Sequence, residues 1–232
     1  MARKRKIRPL IEQLEITDIA AEGKALGRYN DMVVFVPMTV PGDVVKVQVS
    51  KLHRRFMEGY VVEYIRKSQE RAEPFCRHYG TCGGCKWQNL PYESQLRFKQ
   101  RQVSDQLSRI GKVELPEISP IIGSKNRVFY RNKLEFTFCN RRWLTYEEMD
   151  SGADAGGGAL GFHISGMFDK ILDIEECHLQ RDPSNAIRME TARFARQRGM
   201  SFYDIRSGRG LLRKWSGPAR LYKQPRPDAC GV

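Results

Sequence analysis

The N-terminal third of the chain alternates apolar and polar positions with a period of two. Val45, Val47 and Val49 alternate with Lys46, Gln48 and Ser50, the pattern of a strand with one buried face. The same reading places strands at 11–16, 24–29, 32–36, 44–52 and 60–65. Asn30-Asp31 and Pro41-Gly42-Asp43 supply turn chemistry between them. A run of short strands at this spacing predicts a small OB-like barrel over residues 10–68. The period then changes. Over 92–110, Leu96, Val103, Leu107 and Ile110 recur near helical spacing, with Arg97, Arg101 and Arg109 among the polar positions. Gly111 predicts a glycine stop for this helix. Its apolar stripe requires a partner.

Strand character returns over 118–180. Residues 130–138 alternate, as do 160–164, and 170–174 form a third run. A last helix is predicted over 183–198, with Asp182-Pro183 as its opening and Gly199 as its stop. Residues 214–232 carry three prolines and no periodicity, which predicts a frayed tail. The run Gly156-Gly157-Gly158-Ala159-Leu160-Gly161 satisfies G-x-G-x-x-G by count. A dinucleotide or S-adenosylmethionine loop needs a buried strand before it and a helix after it. Acidic residues precede this run and a strand pattern follows, so a hairpin loop is the better reading.

Composition narrows the class. Of 232 residues, 41% are hydrophobic, enough for a core. No apolar run approaches the roughly 20 residues of a membrane span, and no apolar segment follows the charged N-terminus, so a cytoplasmic, non-membrane protein is expected. The formal charge of +13 favours a polyanionic partner, most often nucleic acid. Residues 1–9, with Arg3, Lys4, Arg5, Lys6 and Arg8, read as a basic disordered arm. Lys51, His53, Arg54, Arg55 and Phe56 interleave cations with an aromatic, as a phosphate-and-stacking surface does. A charged hairpin tip with no ligand fits the same residues.

The six cysteines, without a secretory signal, favour metal ligation over disulfides. Cys76, Cys82 and Cys85 are separated by five and then two residues, with glycines at 80, 83 and 84 between and beside them. Cys177, in Glu175-Glu176-Cys177-His178, is the leading fourth ligand. One triplet and a distant single cysteine suit a [4Fe-4S] cluster better than the two close pairs of a zinc site. Cys139, within a strand-like run, reads as structural, and Cys230 as exposed.

These motifs together resemble a known family. The basic barrel resembles a TRAM domain, and Cys76, Cys82, Cys85 and Cys177 resemble the [4Fe-4S] site of the 23S rRNA (uracil-5-)-methyltransferases. Residues 130–138, 161–163, 173–179 and Gly210-Leu-Leu-Arg213 are similar to that family's central domain. Arg131 and Lys133, within the first of these motifs, join the RNA-binding candidates. The resemblance implies methylation of carbon 5 of a uridine, with 23S rRNA as partner and S-adenosylmethionine as donor. In the family a cysteine adds to carbon 6, the resulting enolate attacks the methyl group, and a carboxylate removes the carbon-5 proton. The target base must leave its stack.

The nucleophile, the base and the S-adenosylmethionine loop belong to a C-terminal Rossmann-like domain in that family. The family pattern dissolves after Arg213, so that domain is expected to be absent and 214–232 to be a non-native tail. The expected architecture is therefore α+β: the barrel, then an α/β central domain over 69–213 holding the cluster. The expected behaviour is that of a monomer that binds RNA and cluster, does not bind S-adenosylmethionine and transfers no methyl group. The helix over 92–110, deprived of the catalytic domain, would expose its stripe and promote aggregation. A stand-alone RNA-binding iron–sulfur or zinc module, and a TRAM-containing radical methylthiotransferase, are the rival readings.

Overall fold

The structure, a computed structural model, describes residues 8–218. Most of the basic arm, and the tail from residue 219 with Cys230, lie outside the described residues. The chain divides into two compact units. The first comprises Met1–Tyr79 and Cys85–Gly123; the second comprises Gly80–Gly84 and Ser124–Val232.

In the first unit, strands β1 (Leu10–Ile19), β2 (Ala25–Tyr29), β3 (Met32–Val36), β4 (Val44–Leu52) and β5 (Phe56–Arg66) close into a barrel in the order β1-β2-β3-β5-β4. Neighbours are antiparallel except β3 and β5, which run parallel. Alternate residues point inward, so Val34, Val36, Val45, Val47 and Val49 are buried with Ile11, Leu14 and Ile16. The register of β1 against β4 slips between Ile11 and Leu14, which is why the inward residues of β1 break strict alternation.

One polar knot closes the barrel's corner. The fully buried carboxylate of Asp43 accepts the N–H groups of Val40 and Ser68, each at 2.8 Å, and pairs with Arg71. Arg71 also donates to Met38 O at 3.3 Å and covers the Tyr64 ring. A buried carboxylate with this many donors satisfies the turn that the Pro41-Gly42-Asp43 sequence begins.

Helix α1 (Tyr92–Asp105) continues into a π-helical turn over Gln106–Ile110. It groups with the barrel, not with the second unit. Leu90 enters the barrel core, and Trp87 and Phe98 pack against it. Arg101 pairs with Asp18 and Arg97 with Glu70. The first half of the helix therefore has a partner. The second half stays open, with Val103, Leu107 and Ile110 at 49%, 40% and 78% exposure. Gly111 does not supply a left-handed stop: its φ is −70°. Lys112, at φ 51°, takes the left-handed position, and the Gly111 N–H donates to Gln106 O in the wider π pattern.

The second unit has a four-stranded sheet in the order β8-β7-β6-β9. Its strands are β6 (Lys133–Cys139), β7 (Ala159–His163), β8 (Ile171–Asp173) and β9 (Lys214–Pro218). Helix α2 (Tyr146–Asp150) lies between β6 and β7, and α3 (Ser184–Gln197) precedes β9. Leu134, Phe136, Phe138 and Leu160 form a core with Ala192 and Ala195 of α3. The glycine-rich segment before β7 leads into a strand, as a loop reading of its G-x-G-x-x-G run requires.

Three expectations are corrected here. The central domain is not α/β: every pairing in its sheet is antiparallel. Its strands are short, β6 alternates exposed and buried residues over its first four positions, and α3 packs on the sheet's core, as half-covered antiparallel sheets are built. An iron–sulfur domain is not what the structure contains. Among the described residues no group of three or more His, Cys, Asp or Glu is arranged to hold a metal ion. Cys177 is buried within the apolar core of the second unit, and Cys82 packs against that core while its sulfur accepts the Gly84 N–H at 3.4 Å. Last, 214–218 is not a frayed tail. It forms β9, pairs with β6 over five residues, and places Trp215 5.7 Å from the Phe136 ring. No helix among the described residues is long and apolar enough to cross a membrane.

Candidate nucleic-acid interface

Lys51 to Phe56 form the tip of the β4–β5 hairpin. His53 N–H donates to Phe56 O at 2.9 Å, so Arg54 and Arg55 occupy the two central turn positions. Both are exposed there. Lys51 and Glu58 are cross-strand partners, which brings Lys51 Nζ to 3.0 Å from Glu58 Oε2. His53 Nε2 lies 3.7 Å from the other oxygen. The hydrogen bond from Lys51, then the charges of Lys51, Lys24 and His53, hold the Glu58 carboxyl below its ordinary value. The His53 ring stacks on Phe56 with centroids 4.1 Å apart and planes at 20°. Phe35 meets Phe56 edge-on at 5.6 Å.

The structure thus gathers all five hairpin candidates on one surface and adds three residues. Lys24 acts on Glu58, Phe35 extends the rings, and Arg28 shares the outward face. Their outward phase is legible in the period of β2 and β3. Their placement beside Phe56 depends on β3 lying next to β5, which no local pattern states.

Arg131 and Lys133 belong to the second unit. The Arg131 N–H donates to Leu179 O at 2.8 Å, and its guanidinium stands 5.7 Å from the Tyr130 ring. Lys133 Nζ lies 3.0 Å from Glu135, which also pairs with Lys214 at 3.5 Å. The hydrogen bond and charge of Lys133, then Lys214, hold Glu135 below its ordinary value. An open groove of about 730 Å³ runs along α1, lined by Arg97, Arg101, Ser104 and Ser108 among others. Its two arginines already face Glu70 and Asp18, so it is a weaker anion seat than the hairpin tip.

The cysteine loop over 76–85 is held by hydrogen bonds and by close approaches of its backbone. The Cys76 N–H donates to Gln88 Oε1 at 3.2 Å. Tyr79 reaches Asn89 Oδ1 at 2.6 Å, Asn89 donates to Met38 O, and burial pushes the Tyr79 hydroxyl up to about 12. Gly83 is required by a close approach: its N–H donates to His163 O at 3.0 Å, and a Cβ there would lie 2.6 Å from that oxygen. Cys82 forms an isolated bridge with Ile164 beside it. Among the described residues no arranged ligand group supports the iron–sulfur cluster that the resemblance implies.

The barrel is of a definite class: residues 11–62 match the TRAM domain family. Beyond the barrel, the chain is 54% identical over 196 residues to an uncharacterized RNA methyltransferase of Bacteroides thetaiotaomicron, a match covering 84% of this chain and 43% of the relative. A similarly named protein of Porphyromonas gingivalis is 52% identical, covering 86% of this chain and 44% of the relative. One from Chlorobaculum tepidum is 39% identical, covering 88% and 43%. The chain therefore spans less than half the length of these curated relatives. The fold is also similar to the crystal structure of the Pyrococcus abyssi tRNA (uracil-54, C5)-methyltransferase in complex with S-adenosyl-L-homocysteine. That likeness has a TM-score of 0.56 at 23% identity and covers 88% of this chain and 42% of the other.

Proposed function

We propose that this chain is the RNA-recognition portion of an S-adenosylmethionine-dependent RNA methyltransferase that modifies carbon 5 of a uridine. The observation that carries this reading is the 54% identity, over most of the chain, to a protein named an RNA methyltransferase. The TRAM match and the fold neighbour named as a uracil-C5 enzyme support it. On this reading Lys51, His53, Arg54, Arg55 and Phe56 contact RNA from the barrel, and Arg131 and Lys133 contact it from the second unit. The protein works in the cytoplasm, where its RNA is.

The sequence motifs favour 23S rRNA as the substrate. Deleting the gene should remove 5-methyluridine from one position of 23S rRNA, read by mass spectrometry of rRNA digests. Loss from tRNA instead would keep the chemistry and change the substrate. Unchanged 5-methyluridine in every RNA class would sink the proposal.

A further inference from the structure

We propose that the outer face of β2, β3 and β5 is a stacking platform for the unpaired bases of single-stranded RNA, with His53, Phe56 and Phe35 as its rings. The proposal rests on the RNA-binding reading above and specifies the form of RNA the barrel takes.

The strand register builds the platform. Arg28 pairs with Val33, and Val33 with Phe56; Leu26 pairs with Phe35, and Phe35 with Glu58. Paired residues project on the same side of a sheet, and neighbouring strands are about 4.8 Å apart. Two outward rows therefore cross three strands, and their inward neighbours Val34 and Met57 fill the core. An outward Phe35 and Phe56 contribute nothing to that core. Instead Phe35 braces Phe56 edge-on, and Phe56 covers one face of the His53 ring. His53 ends this stack with 41% of its side chain exposed, so its other face can continue the pile with a base.

Charge complements the rings. Lys24, Arg28, Lys51, Arg54 and Arg55 surround the face, against Glu58 and the Glu22 that pairs with Lys24. Rings able to stack, bordered by cations able to follow a backbone, are the features of single-strand sites. A duplex would offer phosphates to the cations but no base face to the rings, because its bases already stack on one another.

The test measures binding of the full chain to a short labelled single strand and to the same sequence as a duplex, by fluorescence anisotropy across a salt series. A 2-aminopurine base in the single strand reports stacking directly. The single strand should bind more tightly. His53→Ala and Phe56→Leu should each weaken it about tenfold, with the salt slope and duplex affinity unchanged. Phe56→Tyr, which keeps the π face, should restore both affinity and the 2-aminopurine signal. Circular dichroism melts of each variant report folding independently. If the duplex binds as well as the single strand and the ring variants have no effect, the platform is wrong while RNA binding stands. If neither RNA binds, the functional reading fails with it.

Discussion

At the scale of single residues, the molecule places charge where it has a defined partner. Asp43 is fully buried and serves two backbone N–H groups and Arg71. Asp43→Ala would leave a guanidinium and two donors without their acceptor, at about 3–5 kcal/mol of stability. Urea denaturation of the variant measures this, and Asp43→Asn should lose less because it keeps an acceptor oxygen. Glu58 makes the opposite kind of pair, exposed and exchangeable. Lys51 must leave it to meet a phosphate. Glu58→Gln should therefore tighten RNA binding and steepen the logarithmic salt slope by about 0.7, the single-strand value for one released cation. A weaker affinity would show that Glu58 helps to hold RNA.

At the scale of elements, the short helix α2 is set by its cap, not by an apolar period. Thr145 Oγ1 accepts the Glu148 N–H at 3.2 Å, and Glu148 Oε2 accepts the Thr145 N–H at 2.9 Å, a reciprocal capping box for α2. The hydrogen bond from Arg142, then that from the Thr145 backbone, holds the Glu148 carboxyl below its ordinary 4.5. A depressed folded value means its contribution is complete above the unfolded value and is lost as pH falls below it through the folded value. Glu148→Gln should flatten the loss of stability on acidification below about pH 4.5, measured by melting temperature against pH. An unchanged acid limb would mean the cap contributes nothing. The other informative element is β9. Trp215 packs on Phe136, and Gln180 donates to Gly217 O at 2.7 Å. Trp215→Ala should cost the second unit roughly 2 kcal/mol, less than a fully buried tryptophan. Melts of the variant check this, and no change would mean the strand is peripheral. The prolines and missing periodicity of 214–232 disguised this strand, because an edge strand of five residues shows only two inward positions.

At the scale of the whole molecule, on the RNA-binding reading proposed above, the charge of +13 would set how RNA is held more than which RNA is held. If the hairpin tip engages about four phosphates, RNA affinity should fall about fiftyfold for a fourfold rise in salt. Filter binding over that range tests it, and salt-independent binding would remove the electrostatic account. The same scale explains the cysteines. Their spacing resembles a four-thiolate site, yet among the described residues no group of three or more His, Cys, Asp or Glu is arranged to hold a metal ion, and Cys177 lies in the second unit's core with Cys82 packed against it. Gly83, beside the cysteines in sequence, is needed for backbone contact with His163.

The sequence by itself determined the local alternation of the barrel strands, the two long helices and the basic, aromatic-bearing hairpin tip. These depend on periods and turn residues within a few positions of one another, where side-chain phase and backbone preference act directly. Only the tertiary structure decided that α1 rests on the barrel, that β9 completes the second sheet and that Phe35 and Arg28 share a face with Phe56. Each of those depends on which distant strand or helix lies alongside. That choice is made by burial of the summed apolar surface, a quantity that no short stretch of sequence contains.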